Sequence, residues 1–199
     1  MAGKLDGRTI AFLAADGVEQ VELVEPRKAI EEAGARTELI GLEEGEIQGF
    51  DHLEHADTFT VDKAVKDADA DDYDGLLIPG GVANGDFLRA DEDAVRFTAA
   101  FAEAHKPIAS ICHGPWVLVE AGIVKGRTIT SWPSLKTDVR NAGGTWVDEE
   151  VHVESDPPTL VTSRKPDDIP AFSAKAIEEF CEGRHEDMPQ PAGAATSSS

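Results

Sequence analysis

The chain has 199 residues, long enough for one sizeable core and short for two independent domains. Hydrophobic residues make up 41%, and 18 Lys plus Arg against 39 Asp plus Glu leave a net charge of −21; such a surface repels nucleic acid and anionic membranes. The acids are dispersed, as at 67–74, 91–93 and 148–150. That pattern suits a salt-rich cytoplasm, where screening weakens repulsion between like charges, and it predicts a halophilic protein that needs high salt for full stability.

In chain order, Thr9–Ala14 reads as a first strand, followed by an acidic turn and an amphipathic helix from about Val18 to Gly34. Thr37–Leu42 reads as a second strand, and residues 45–65, with Gly45 and Gly49, as a short hairpin or irregular excursion. Tyr73–Gly81 is an apolar strand ending in a glycine pair, then a loop, then a helix over Asp91–Ala104. A strand over 107–111 leads into a helix that starts near Pro115 and stops near Gly122. A short strand is expected at Thr128–Thr130 and a helix over 134–142. Thr145–Val153 with Leu160–Ser163 should form a strand pair, and a closing helix should run from Asp167 to Phe180.

Strands that alternate with helices of this length imply parallel pairing and a sheet covered on both faces, hence an α/β fold. The organisation predicted is one domain over residues 1–183 and a disordered tail over 184–199, rich in Pro, Gly, Ala and Ser. The N-terminal residues lack the apolar core of a signal peptide and no run has the length of a transmembrane helix, which points to the cytoplasm. The two cysteines form no paired-cysteine metal motif, and Cys181, at a helix end, reads as incidental packing.

Cys112 is different. A cysteine that ends an apolar strand is more often a small buried hydrophobe than a catalyst. Here the run Pro107-Ile-Ala-Ser-Ile-Cys-His-Gly-Pro115 stops the strand at a thiol, a histidine, a glycine and a proline. Small residues two places to either side, Ser110 and Gly114, allow the strained strand-to-helix corner of a nucleophile elbow. At the start of the following helix, unpaired N–H groups and the helix dipole should favour the thiolate.

His113 is the adjacent base. In such sheets ligands sit beyond the carboxyl ends of strands, where Gly80-Gly81 and Cys112 should converge. The backbone N–H groups of Gly81 and His113 are the candidate oxyanion donors. Glu22 falls on the helix face shared by Pro26, Ala29 and Ala33, where a carboxyl would be desolvated, protonated and able to donate to a thiolate. Glu19, Glu25 and Glu31 read as solvated acids.

The segments Ala109–Pro115, Leu77–Gly81, Gly17–Leu23 and Val161–Asp168 together resemble the PfpI family of intracellular cysteine proteases and deglycases, of the class I glutamine amidotransferase-like superfamily, over roughly residues 8–182. The resemblance implies a flavodoxin-like three-layer sandwich with a mainly parallel central sheet. It also implies Cys112 as nucleophile, His113 as its partner and Glu22 as the acid at the thiol. A further acid from a neighbouring subunit orients the histidine in such proteases, and Asp86, in the loop after the glycine pair, is its best match. A homodimer or hexamer follows, acting without cofactor or metal as a hydrolase on a peptide, a glycated protein or a small aldehyde such as glyoxal or methylglyoxal.

Two other readings remain at this point. His152-Val-Glu154 has the spelling of the His-x-Glu pair of a glutamine amidotransferase, although it follows Cys112 closely. A reactive thiol beside Glu22 would also serve a non-enzymatic redox sensor or holdase chaperone of the stress response.

Overall fold

A computed structural model describes residues 3–183; the tail expected over 184–199 lies outside the described residues. Among the described residues there are twelve strands: β1 Thr9–Leu13, β2 Val18–Glu19, β3 Arg36–Gly41, β4 Glu46–Asp51, β5 Glu54–Thr60, β6 Lys63–Ala64, β7 Gly75–Ile78, β8 Ile108–Ile111, β9 Thr128–Ile129, β10 Thr145–Trp146, β11 Val151–Glu154 and β12 Leu160–Ser163. The helices are α1 Gln20–Glu32, α2 Val82–Ala90, α3 Glu92–Glu103, α4 Pro115–Glu120, α5 Lys136–Asn141 and α6 Ile169–Glu182. Seven strands form the central sheet in the order β11-β12-β8-β7-β1-β3-β6. All its pairings are parallel except that of the edge strand β11 with β12.

β7, β8 and β12 are buried at every position because both faces of the sheet are covered. In β1, Ile10 and Phe12 point into a core shared with Leu23 and Ile30 of α1 and Phe172, Ala176 and Phe180 of α6. Their neighbours Ala11 and Leu13 point the other way, onto Leu88 of α2, Phe97 and Phe101 of α3 and Val117 and Leu118 of α4. The period-two alternation of the strand thus feeds two cores, one on each side, giving the flavodoxin-like three-layer arrangement.

Three local expectations are revised. The segment after the glycine pair, expected as a loop, is helix α2. The pair expected from Thr145–Val153 and Leu160–Ser163 is divided, since β10 pairs with β9 and only β11 lies against β12. The buried face of α1 carries Glu22, Leu23, Pro26 and Ile30, while Ala29 and Ala33 are only half-buried. The 45–65 segment is a hairpin, β4 against β5, with β2 on the other edge of β4. This small sheet projects over the carboxyl ends of the central strands.

Candidate active site

β8 ends at Cys112, whose φ of +60° lies in the left-handed region that L residues rarely adopt. Backbone bonds hold the corner: Cys112 N–H donates to Ser163 O at 3.0 Å, and Trp132 N–H donates to Cys112 O at 2.9 Å. Small residues are required around it. A Cβ at Gly114 would stand 2.6 Å from Ser110 Oγ and 2.7 Å from Ile78 O; one at Gly80 would stand 2.3 Å from Glu22 Oε2 and 2.5 Å from Cys112 Cβ. The sequence-derived elbow is present, and the glycine pair meets it.

The thiol has company on three sides. His113 Nδ1 lies 3.2 Å from Cys112 Sγ, so these sequence neighbours do touch. The N–H groups of Gly81 and His113 both bond the sulfur. Glu22, fully buried on α1, interacts with the thiol from below, and its Oε2 accepts from Gly80 N–H at 2.9 Å. That bond commits the Gly80 N–H to the carboxyl and leaves Gly81, rather than Gly80, with an N–H toward the site.

The electrostatics follow from burial. Loss of water raises the Glu22 carboxyl from an ordinary 4.5 to about 8, with the charge of Glu19 adding to the rise. Glu22 is therefore protonated at neutral pH. Burial pushes His113 down to about 4, which makes it a neutral imidazole. The expectation of a thiol held low by the helix dipole is overturned: burial, and then the Glu22 charge, push Cys112 up. When Glu22 holds its proton the second contribution vanishes, and the carboxyl and two N–H groups can all donate to a thiolate.

The site opens into a cleft of about 630 Å³ whose walls include Glu19, Phe50, Leu53, Phe87, Trp116 and Trp132. His113 stacks on Trp132 at 5.8 Å between ring centroids and meets Trp116 edge-on at 5.2 Å. Asp86 also lines the cleft, but within this chain its carboxylate pairs with Arg89 at 3.0 Å, and among the described residues no bond joins it to His113. The other sequence candidates sit apart. His152 bonds Glu149 at 2.7 Å, and Glu154 accepts from Thr128 N–H at 2.9 Å. Both lie on the antiparallel edge strand, and Glu154 pairs through Leu160 with Ile108, at the end of the sheet opposite Cys112. Among the described residues, His152 and Glu154 form no triad with Cys112. Cys181 is exposed, so its reading as packing is also corrected.

Several residues of the site carry no signal in the sequence. Asn84 is completely buried, with Oδ1 accepting from Ala15 N–H at 2.7 Å and Nδ2 donating to Pro79 O at 2.9 Å and Gly80 O at 3.0 Å. Glu19, expected to be solvated, is 91% buried because the β4–β5 hairpin covers it. At the same rim a carboxylate oxygen of Glu19, one of Asp51 and a ring nitrogen of His52 lie within 4.8 Å of one another, although Asp51 and His52 are exposed. Spacing alone could not reveal this grouping, which joins β2 to the far tip of a hairpin.

Fold and site together define a class: flavodoxin-like α/β proteins with a cysteine at a nucleophile elbow. The DJ-1/PfpI family pattern matches residues 8–179, and the chain belongs to that family. A Bacillus subtilis relative that carries a cysteine-protease name is 43% identical over 171 residues, 85% of this chain and 96% of its own. The Thermococcus kodakarensis protein named Deglycase TK1284 is 39% identical over 85% of this chain and 97% of its own. Among solved structures, Drosophila melanogaster DJ-1beta superposes with a TM-score of 0.76 at 25% identity, covering 87% of this chain and 90% of that one.

Proposed function

We infer that the protein is a cysteine-dependent hydrolase of the PfpI type, acting on an electrophilic carbonyl carbon in a small aldehyde or in the adduct such an aldehyde leaves on a protein. The observation that carries this reading is the elbow itself: a cysteine at φ +60°, its sulfur 3.2 Å from a neutral histidine and beside a protonated glutamate. The names of the relatives, a cysteine protease and a deglycase, support the same attacking group on related carbon centres.

The thiol proton passes to His113 Nδ1, and the sulfur forms a C–S bond while the carbonyl π pair moves to oxygen. The N–H groups of Gly81 and His113, which bond the sulfur at rest, then face the new oxyanion. With methylglyoxal the resulting hemithioacetal passes its C1 hydrogen as a proton to C2 through an enediol, leaving a thioester in which C1 is oxidised and C2 reduced. Water adds to that thioester and expels the Cys112 sulfur, which takes back its proton, so methylglyoxal plus water gives lactate with no external oxidant.

For Nδ1 to accept, the His113 ring must carry its hydrogen on Nε2. An acid beside that nitrogen would stabilise the cation formed in the step. Asp86 of a partner subunit, presented by α2 at the cleft mouth, is the proposed orienting group. The homo-oligomer belongs to the same reading. Exposed Val82 and Phe87 on α2, with Leu53 on the hairpin, supply apolar surface at that mouth.

The test is to incubate the protein with methylglyoxal or a glycated peptide and follow lactate or the released peptide. Replacing Cys112 by Ala should lower turnover by about a thousandfold or more. Unchanged turnover in that variant overturns the reading. Absence of turnover in the parent protein, with selective peroxide oxidation of Cys112, would instead assign the site to redox sensing.

A further inference from the structure

Glu19 stands where three parts of the site meet. Its backbone N–H donates to Gly80 O at 3.1 Å, and Gly80 N–H in turn holds Glu22. Its own carboxylate accepts from His52 N–H through both oxygens, at 3.2 and 3.3 Å, so the tip of the β4–β5 hairpin is tied to the cleft wall. It is buried without a cationic side chain bonded to it in the described structure. The titratable groups around the cleft and facing Glu19 are Glu19 on β2, Glu22 on α1, Asp51 and His52 on the hairpin, Asp86 on α2, and Cys112 and His113 at the elbow. Of these, Glu19 is the one whose charge acts on Glu22.

We propose that Glu19 is a positioning residue, a buried carboxylate strapped between Gly80 and the hairpin tip whose charge keeps the proton on Glu22 and so leaves Cys112 able to ionise. The physical argument concerns two groups that compete for one proton. When the Cys112–Glu22 pair has lost one of its two protons, the remaining one rests either on the carboxyl, leaving a thiolate, or on the sulfur, leaving a carboxylate. A fixed negative charge beside Glu22 disfavours the second arrangement. The fraction of reactive thiolate therefore depends on Glu19, which acts on the sulfur through Glu22. The inference rests on the reading of Cys112 as a nucleophile, but it does not depend on which substrate is attacked.

The test uses iodoacetamide alkylation of Cys112 in a Cys181→Ser background, which removes the exposed thiol, with EDTA present so that no cation screens Glu19. Rates are measured from about pH 5.5 to 9.5, a range that brackets the rise of the Glu22 carboxyl to about 8. Glu19→Gln keeps an acceptor for His52 N–H and removes only the charge. It should match the parent below about pH 6, where Glu22 is protonated in both, and reach a plateau about threefold or more lower above pH 8, since half a pKa unit is a factor of about three.

Glu19→Asp, with its charge drawn back by one methylene, should fall between the two. In a Glu22→Gln background the difference should vanish. A rate ratio that is constant across pH would show that Glu19 only anchors the hairpin, and would overturn the proposal; so would superimposable profiles. Should Glu19→Gln fail to fold, Glu19→Asp must show the same divergence in smaller measure, and its absence overturns the proposal equally. Because alkylation needs no turnover, a protein inactive on every aldehyde tried would sink the hydrolase reading while leaving this result standing.

Discussion

Glu22 is a carboxylic acid kept uncharged by its surroundings, and this has a consequence for stability as well as chemistry. Its folded value of about 8 exceeds the ordinary 4.5, so between those pH values the native state binds the extra proton and stability falls as pH rises. His113 acts in the opposite sense. Its folded value of about 4 lies below the ordinary 6.5, so in that window the unfolded state binds the extra proton and stability rises with pH. The two slopes oppose each other from 4.5 to 6.5, and from 6.5 to 8 Glu22 acts without His113. At about 1.4 kcal/mol per unit, that last window costs about 2 kcal/mol. Urea unfolding at both ends of it should show the loss in the parent protein and not in Glu22→Gln; equal slopes in the two proteins would refute the buried, protonated state.

At the scale of elements, the nucleophile corner is held by neighbours far away in sequence. α2 begins directly after the glycine pair and presents Asn84 inward, where one side chain satisfies Ala15 N–H, Pro79 O and Gly80 O. These groups belong to the turns after β1 and β7, so Asn84 joins two strand ends beneath the cleft. Asn84→Ala would leave a buried donor without its partner and remove the donors to two buried carbonyls, at a cost of about 2 to 3 kcal/mol. The expected result is a lower urea midpoint with an unchanged slope, together with reduced turnover as Gly80 and Gly81 lose their support. A neutral substitution would mean that water enters and replaces the amide. In sequence, Val82-Ala-Asn-Gly-Asp reads as a loop because Asn and Gly are poor helix formers; the contacts of Asn84 outweigh that propensity.

The net charge is −21, and most acids among the described residues lie at the surface around two apolar cores. Many of its ion pairs are exposed, such as Lys66 with Glu43 and Lys175 with Glu178, and each contributes little. Self-repulsion among the remaining acids is long-ranged in dilute buffer and reaches only about 3 Å in molar salt. The thermal midpoint should therefore rise by several degrees between dilute buffer and molar potassium chloride; an unchanged midpoint would remove the case for a salt-adapted surface. No helix among the described residues is long and apolar enough to cross a membrane.

The sequence by itself determined the alternation of strand and helix, the two-sided burial of the central strands and the elbow at Cys112. Each of these is a local matter: side-chain periodicity, apolar runs and the small residues a sharp corner requires. It also placed Glu22 on an inward helix face, since one carboxylate within an apolar stripe is visible in a list of residues. Only the tertiary structure decided what surrounds that carboxyl. The burial of Glu19 under a hairpin, the three bonds of Asn84 and the raised thiol come from chain segments that meet only after folding, and desolvation is a property of what covers a group. The pairing of Asp86 with Arg89 and the diversion of Gly80 N–H to Glu22 have the same origin, because a hydrogen bond is assigned by where both of its ends finally stand.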